Sequence, residues 1–155
     1  MLHDIRTRED VERLVESFYA QATADDTIGH LFTDVARVDF GRHLPLMYDF
    51  WETLLFGVRK YSGNAMRPHF DLNAKVPLVD EHFRRWLQIW EGTVDSLFAG
   101  ENAESAKEKA RYIARSMQLR LGAATAVRLE TAGAPAALGA LPVRTASPRS
   151  PAPAG

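Results

Sequence analysis

The chain contains no cysteine. That absence removes disulfides, thiolate metal sites, iron–sulfur clusters and cysteine nucleophiles, so any metal must be held through nitrogen or oxygen. A dominant charge is missing too: 19 Lys and Arg stand against 20 Asp and Glu in 155 residues, a formal net charge of -1. Such a balance creates no long-range field toward nucleic acid or an anionic membrane, and it suits a small neutral partner better. No window approaches the apolar length of a membrane span. The stretch Met1 to Asp10 carries Asp4, Arg6, Arg8, Glu9 and Asp10 where a signal peptide would be apolar, so a soluble, cytoplasmic protein is expected.

Several motifs are lacking as well. No alternating β-branched run suggests a strand. None of the five histidines has a Glu three residues before it, which speaks against a di-iron carboxylate site. The zinc-protease helix motif, a Gly-rich phosphate loop ending in Lys-Ser/Thr and the G-x-S-x-G elbow are absent, leaving common hydrolase and nucleotide chemistries unsupported. No internal repeat is found.

What is present is helical periodicity. Thr7, with Asp10 three residues on, forms a capping signal ahead of Val11, Leu14, Val15, Phe18 and Ala22 at helical spacing. Asp25, Asp26 and Gly29 break that helix, and Leu31-Phe32 make a short apolar step. A second pattern runs through Phe40, Leu44, Met47, Trp51, Leu54 and Val58, with Pro45 expected in its first turn or bending it. Pro68 and Pro77 bracket a segment expected to be loop with at most a short helix. Asp80 is the expected cap of a third pattern, Phe83, Trp86, Leu87, Trp90, Val94 and Leu97, which Gly100 ends. A fourth starts near Ala103 and buries Ala106, Ala110, Ile113, Met117 and Leu121; Glu101 and Glu104 at its start and Arg111, Arg115 and Arg120 further along suit the helix dipole.

From Thr131 to Gly155 the composition turns to Ala, Pro, Gly and Ser, with five of the eight prolines and no acidic residue. Residues 1–130 are therefore expected to form one all-α domain and 131–155 a disordered Ala/Pro-rich tail. The connection from Tyr61 to Val79 is too long for a plain helical bundle, and such connections often carry function.

His43, Met47, Phe50 and Leu54 are spaced by four, three and four, so an imidazole heads an apolar face of the second helix. Tyr19 and Trp86 each place one polar hydrogen in apolar surroundings, where it needs a partner. Taken singly, Tyr19 and Trp86 read as core aromatics, His43 as a boundary histidine, His69 as a surface loop residue, and Met47 and Met117 as core fillers.

Taken in order, the pieces Phe18-Tyr19, Leu31-Phe32, His43 with Asp49-Phe50-Trp51, Tyr61-x-Gly63, Pro68-His69-Phe70-Asp71-Leu72 and Phe83-x-x-Trp86-Leu87 resemble the group III truncated haemoglobins across about residues 5 to 122. The resemblance implies a truncated globin fold, a two-over-two helical sandwich around haem b, with the proximal helix reduced to a loop and one turn. It implies His69 as the axial iron ligand, and Tyr19, His43 and Trp86 as the distal residues that stabilise a ligand. It also implies Phe32, Met47, Phe50, Trp51, Leu54, Ile113 and Met117 as cofactor contacts. The expected function is binding of O₂, NO or CO, extending to conversion of NO with O₂ to nitrate or to peroxidase-like activity, with an unidentified reductase as partner. A haem-based redox or gas sensor, or an electron-transfer partner without turnover, is the alternative. Neither a nucleic acid nor a membrane partner is expected.

Overall fold

The computed structural model describes residues 1–131, with side chains placed as far as Ala123. Five α-helices follow one another: α1 (Arg8–Ala22), α2 (Phe40–Phe56), α3 (Met66–Lys75), α4 (Asp80–Leu97) and α5 (Glu101–Thr131), with a π-helical turn at Leu31–Val35 between the first two. The expected tail, 131–155, lies outside the described residues except for Thr131, which is the last residue of α5.

Helix α1 begins as its sequence predicts. The Thr7 hydroxyl accepts from the Asp10 backbone N–H at 3.2 Å, and the Asp10 carboxylate accepts from the Thr7 N–H at 3.2 Å, satisfying two of the amides a helix start leaves orphaned. All five residues of the predicted stripe, Val11, Leu14, Val15, Phe18 and Ala22, are buried. After α1 the chain doubles back so closely that a Cβ on Gly29 would sit 2.5 Å from the Thr23 carbonyl oxygen. Only glycine permits that approach.

Asp39 caps α2 by accepting from the Gly41 N–H. Pro45 lies beyond the first turn, inside the helix, where its missing N–H leaves the Gly41 carbonyl without its helical donor. The helix ends at Gly57, which takes the left-handed conformation at φ 70°.

Helix α3 spans ten residues, more than the loop with at most a short helix that the prolines suggest and more than the loop and one turn that the resemblance implies. Pro68 is its third residue, so the absent N–H falls among those that have no partner in any helix start. The Asn64 side chain accepts from the Met66 N–H at 3.0 Å, and Pro77 stands just past the last turn. Helix α4 also starts differently from expectation. Val79 is the cap, its N–H donating to His82 Nδ1, while Asp80 is the first helical residue and accepts from the Gln118 side chain of α5.

The start of α5 is capped from the far end of the chain. The Asp4 carboxylate accepts from the Asn102 and Ala103 backbone N–H groups at 2.9 and 2.8 Å. Helix α1 packs on α2 and α4, α5 packs on α4, α2 and α3, and α3 also meets the π-helical turn. The core between them holds Phe18, Trp51, Trp90, Val94 and Phe98. On one edge, the nearly buried Glu52 receives Arg8 at 2.5 Å and Lys60 at 3.1 Å, joining α1, α2 and the segment after α2.

Candidate functional site

Phe18 is buried, so its neighbour Tyr19, one residue on, projects from the side of α1 into a cleft of about 620 Å³. The π-helical turn supplies Leu31 and Phe32; α2 supplies His43, Met47, Phe50 and Trp51; α3 supplies His69 and Leu72; α4 supplies Phe83, Trp86 and Trp90; α5 supplies Ile113 and Met117. The lining is mostly apolar and aromatic with a few polar groups, the usual make-up of a small-molecule or cofactor site. Ten of the expected site residues thus converge: Tyr19, Phe32, His43, Met47, Phe50, Trp51, His69, Trp86, Ile113 and Met117. Leu54 does not reach the cleft. It lies one turn further along α2 and packs, half-buried, on the main core.

The π-helical turn and α2 set the Tyr19 environment. Its ring meets Phe32, Phe40 and His43 edge to face, and its hydroxyl lies 2.7 Å from His43 Nε2. Burial raises the Tyr19 phenol far above its ordinary value, so it stays protonated. Burial also lowers the His43 pKa, and protonation of His69 would lower it further; the two imidazoles therefore sense one another across the site.

His69 owes its orientation to helix geometry. Its Nδ1 lies 2.7 Å from the Ala65 carbonyl oxygen, one turn back. A carbonyl only accepts, so Nδ1 carries the proton and the Nε2 lone pair is left free. Burial lowers the His69 pKa while the Ala65 hydrogen bond raises it, with a net value below the ordinary one. A neutral imidazole with an oriented Nδ1–H and an open Nε2 is the form that ligates a metal.

Trp86 provides the last polar hydrogen. Its ring is parallel to Trp90 at 6.1 Å and edge-on to Phe18 at 5.8 Å. The Trp90 N–H donates to the Ala106 carbonyl at 3.1 Å, whereas the Trp86 N–H has no hydrogen-bond partner among the described residues. It is available to a molecule in the cleft.

Sequence reasoning passed over some of the lining. Ala65, whose carbonyl orients His69, could be found by counting four residues back along a helix, but its segment reads as loop. Tyr61 stands in the Tyr61-x-Gly63 motif without an assigned role; a Cβ on Gly63 would lie 2.7 Å from the Tyr61 hydroxyl oxygen, so the glycine makes room for the tyrosine ring at the cleft wall. The cations Arg37, Arg42 and Lys75 at the cleft gave no sequence signal, since surface cations are common.

Helices α1, α2, α4 and α5 around such a cleft, with α3 closing one side, make an all-α truncated-globin fold. In sequence, the chain is 25% identical over 114 residues to the group 3 truncated hemoglobin ctb of Campylobacter jejuni, covering 72% of this chain and 87% of that protein. In structure, it is similar to the crystal structure of group III truncated hemoglobin from Campylobacter jejuni, with a TM-score of 0.68 and 25% identity, over 78% of this chain and 95% of the other. No family model matches the chain. The resemblance to group III truncated haemoglobins is therefore carried by both sequence and fold. Among the described residues no helix is long and apolar enough to cross a membrane.

Proposed function

We propose that the cleft holds haem b, with His69 as the axial ligand of the iron, and that the chain binds O₂ and other diatomic ligands such as NO and CO. The observation that carries this reading is the His69 imidazole, whose Nδ1–H is engaged by the Ala65 carbonyl at 2.7 Å and whose Nε2 is left open within an apolar cleft. The donor set fits the group: among the described residues no three His, Asp or Glu side chains gather around a metal position, and one imidazole suits a metal that brings its other ligands in a macrocycle.

Bound haem supplies an iron coordination position where a diatomic ligand acquires partial negative charge. The chain's own groups are placed to respond to that charge. The Trp86 N–H is an unengaged donor. The Tyr19 hydroxyl, protonated throughout the physiological range, either donates to His43 Nε2 or accepts from it. With the proton on Nε2, His43 donates to the Tyr19 oxygen and frees the phenolic hydrogen for a ligand. Phe18, Phe32, Met47 and Phe50 keep water away, which strengthens both donors.

An absorption spectrum of the ferric, ferrous and CO forms tests the reading. A Soret band that is lost or displaced in His69→Ala is expected, and normal haem content with unchanged axial spectroscopy in that variant would discard the axial assignment. Conversion of NO with O₂ to nitrate is part of the same proposal: aerobic protein with a reductant should consume NO catalytically, and a single stoichiometric event would reject turnover.

A further inference from the structure

The main cleft shares a wall with a second, smaller cleft of about 390 Å³. Phe50, Tyr61, Ala65, Ile113 and Met117 border both. Of these five, Tyr61 is the side chain that gives up an electron most readily, and its hydroxyl has no hydrogen-bond partner among the described residues. The second cleft opens between the Gly63–Met66 stretch and α5, and at its rim stands Tyr112, 75% exposed.

A file of rings runs behind Tyr61. Tyr61 meets Phe50 edge to face at 5.2 Å and Phe50 meets Trp51 at 5.6 Å. Trp51 stacks on Trp90 at 4.3 Å, and Trp90 lies parallel to Trp86 at 6.1 Å. Stacked indoles share a positive charge between their faces, which lowers the cost of removing an electron from either. Phe50 is not oxidised itself; it fills the gap, so that an electron crosses packed rings instead of a void. The Trp90 N–H is held by a carbonyl oxygen, which is too weak a base to take its proton. A vacancy on Trp90 therefore moves on. At Tyr61 the phenolic proton can leave to solvent through the second cleft, and the vacancy comes to rest there.

We propose that the second cleft takes a small phenolic one-electron donor, and that Tyr61, with Trp51, Trp90 and Trp86 behind it, passes the donor's electrons to the main cleft when hydrogen peroxide reacts there. The proposal rests on the haem reading above. For each peroxide the O–O bond breaks, and two electrons and two protons convert it to two waters. Two phenol molecules each lose one electron and one proton and leave as phenoxyl radicals. Tyr61 ends unchanged, having lost an electron inward and a proton to solvent and regained both from the donor. The second cleft is within the size range of small-molecule sites, and its Tyr61, Phe50 and Tyr112 rings offer faces for a phenol to stack on.

Three measurements on the haem-loaded protein test this. Freeze-quench electron paramagnetic resonance after hydrogen peroxide should show a tyrosyl signal that falls severalfold in Tyr61→Phe. Guaiacol oxidation should fall severalfold in Tyr61→Phe and also in Ser116→Trp, which fills the second cleft; the tyrosyl signal should survive in Ser116→Trp. Guaiacol titrated into the protein, with or without haem, should shift the amide resonances of Gly63, Asn64 and Ser116. A tyrosyl signal undiminished in Tyr61→Phe, or guaiacol shifts confined to another surface, overturns the proposal. Haem-loaded protein that gives no tyrosyl signal overturns it alone, whereas protein without a Soret band overturns the haem reading together with it.

Discussion

Trp86→Phe isolates a single N–H. The Trp86 ring packs against Trp90 and Phe18, and a phenyl ring keeps much of that contact. Its N–H donates to nothing among the described residues, so the substitution strands no acceptor. Trp90→Phe is the control: it removes an N–H that donates to the Ala106 carbonyl in a site where Trp90 is 1% exposed, a loss of about 0.5–1.5 kcal/mol beyond the lost ring volume. Trp86→Phe should therefore destabilise the haem-free protein less than Trp90→Phe. Its effect belongs to the ligand. A hydrogen bond to a partly charged acceptor contributes about 1–3 kcal/mol, and at about 1.4 kcal/mol per decade that becomes roughly 5- to 150-fold faster O₂ dissociation. Stopped-flow displacement of O₂ by CO measures the rate, and urea unfolding measures the stability. Dissociation within about twofold of wild type, in a variant that keeps its Soret band, would refute the assignment of Trp86 as a donor.

Tyr19→Phe removes the other donor and breaks the 2.7 Å contact with His43; O₂ dissociation should rise by a similar factor, and a Tyr19→Phe/Trp86→Phe double variant that matches one single variant while the other single variant matches wild type would show that only one of them reaches the ligand. The pH dependence has a defined sign. His69 and His43 have folded pKa values below 6.5, so their contribution to stability is complete above about pH 6.5 and is lost as the pH falls through the folded values. Thermal midpoint and haem retention should both decline on acidification from about pH 7 to about pH 5.5, and a midpoint that rises over that interval would contradict the burial argument. Gly63→Ala places a methyl group 2.7 Å from the Tyr61 oxygen, so it should displace the Tyr61 ring and shift the tyrosine fluorescence and the Phe50 ring resonances; an unperturbed spectrum would show that the ring does not lie against Gly63.

The parts of the fold legible in sequence are those whose signals are local. Thr7 and Asp10 announce α1, and the spacing from Val11 to Ala22 names its buried face, because cap and stripe depend on residues within a few turns. Helix α3 was hidden by Pro68 and Pro77. A proline reads as a breaker unless its place in the helix is known, and in α3 Pro68 occupies the first turn, where no N–H is required. With that helix went the reason for the His69 orientation: the Ala65 carbonyl is an acceptor only once residues 65 and 69 stand one turn apart. The site residues came from an ordered resemblance and not from periodicity, which by itself favours core packing for Tyr19 and Trp86. Leu54 shows the limit of spacing arguments, since it shares a helical face with Met47 and Phe50 yet falls beyond the end of the cleft. The bonds from Asp4 to Asn102 and Ala103 join residues far apart in the chain and leave no local trace.

Those last bonds bear on how the protein is made. Asp4 leaves the ribosome early and its two amide partners emerge nearly a hundred residues later, so the clasp cannot close until most of the domain has been synthesised. Until then, the Asp4 carboxylate has neither of these two partners. A bulky fusion placed just ahead of Asp4 would crowd that late docking step and spare the earlier helices, a cost to consider when a purification tag is attached.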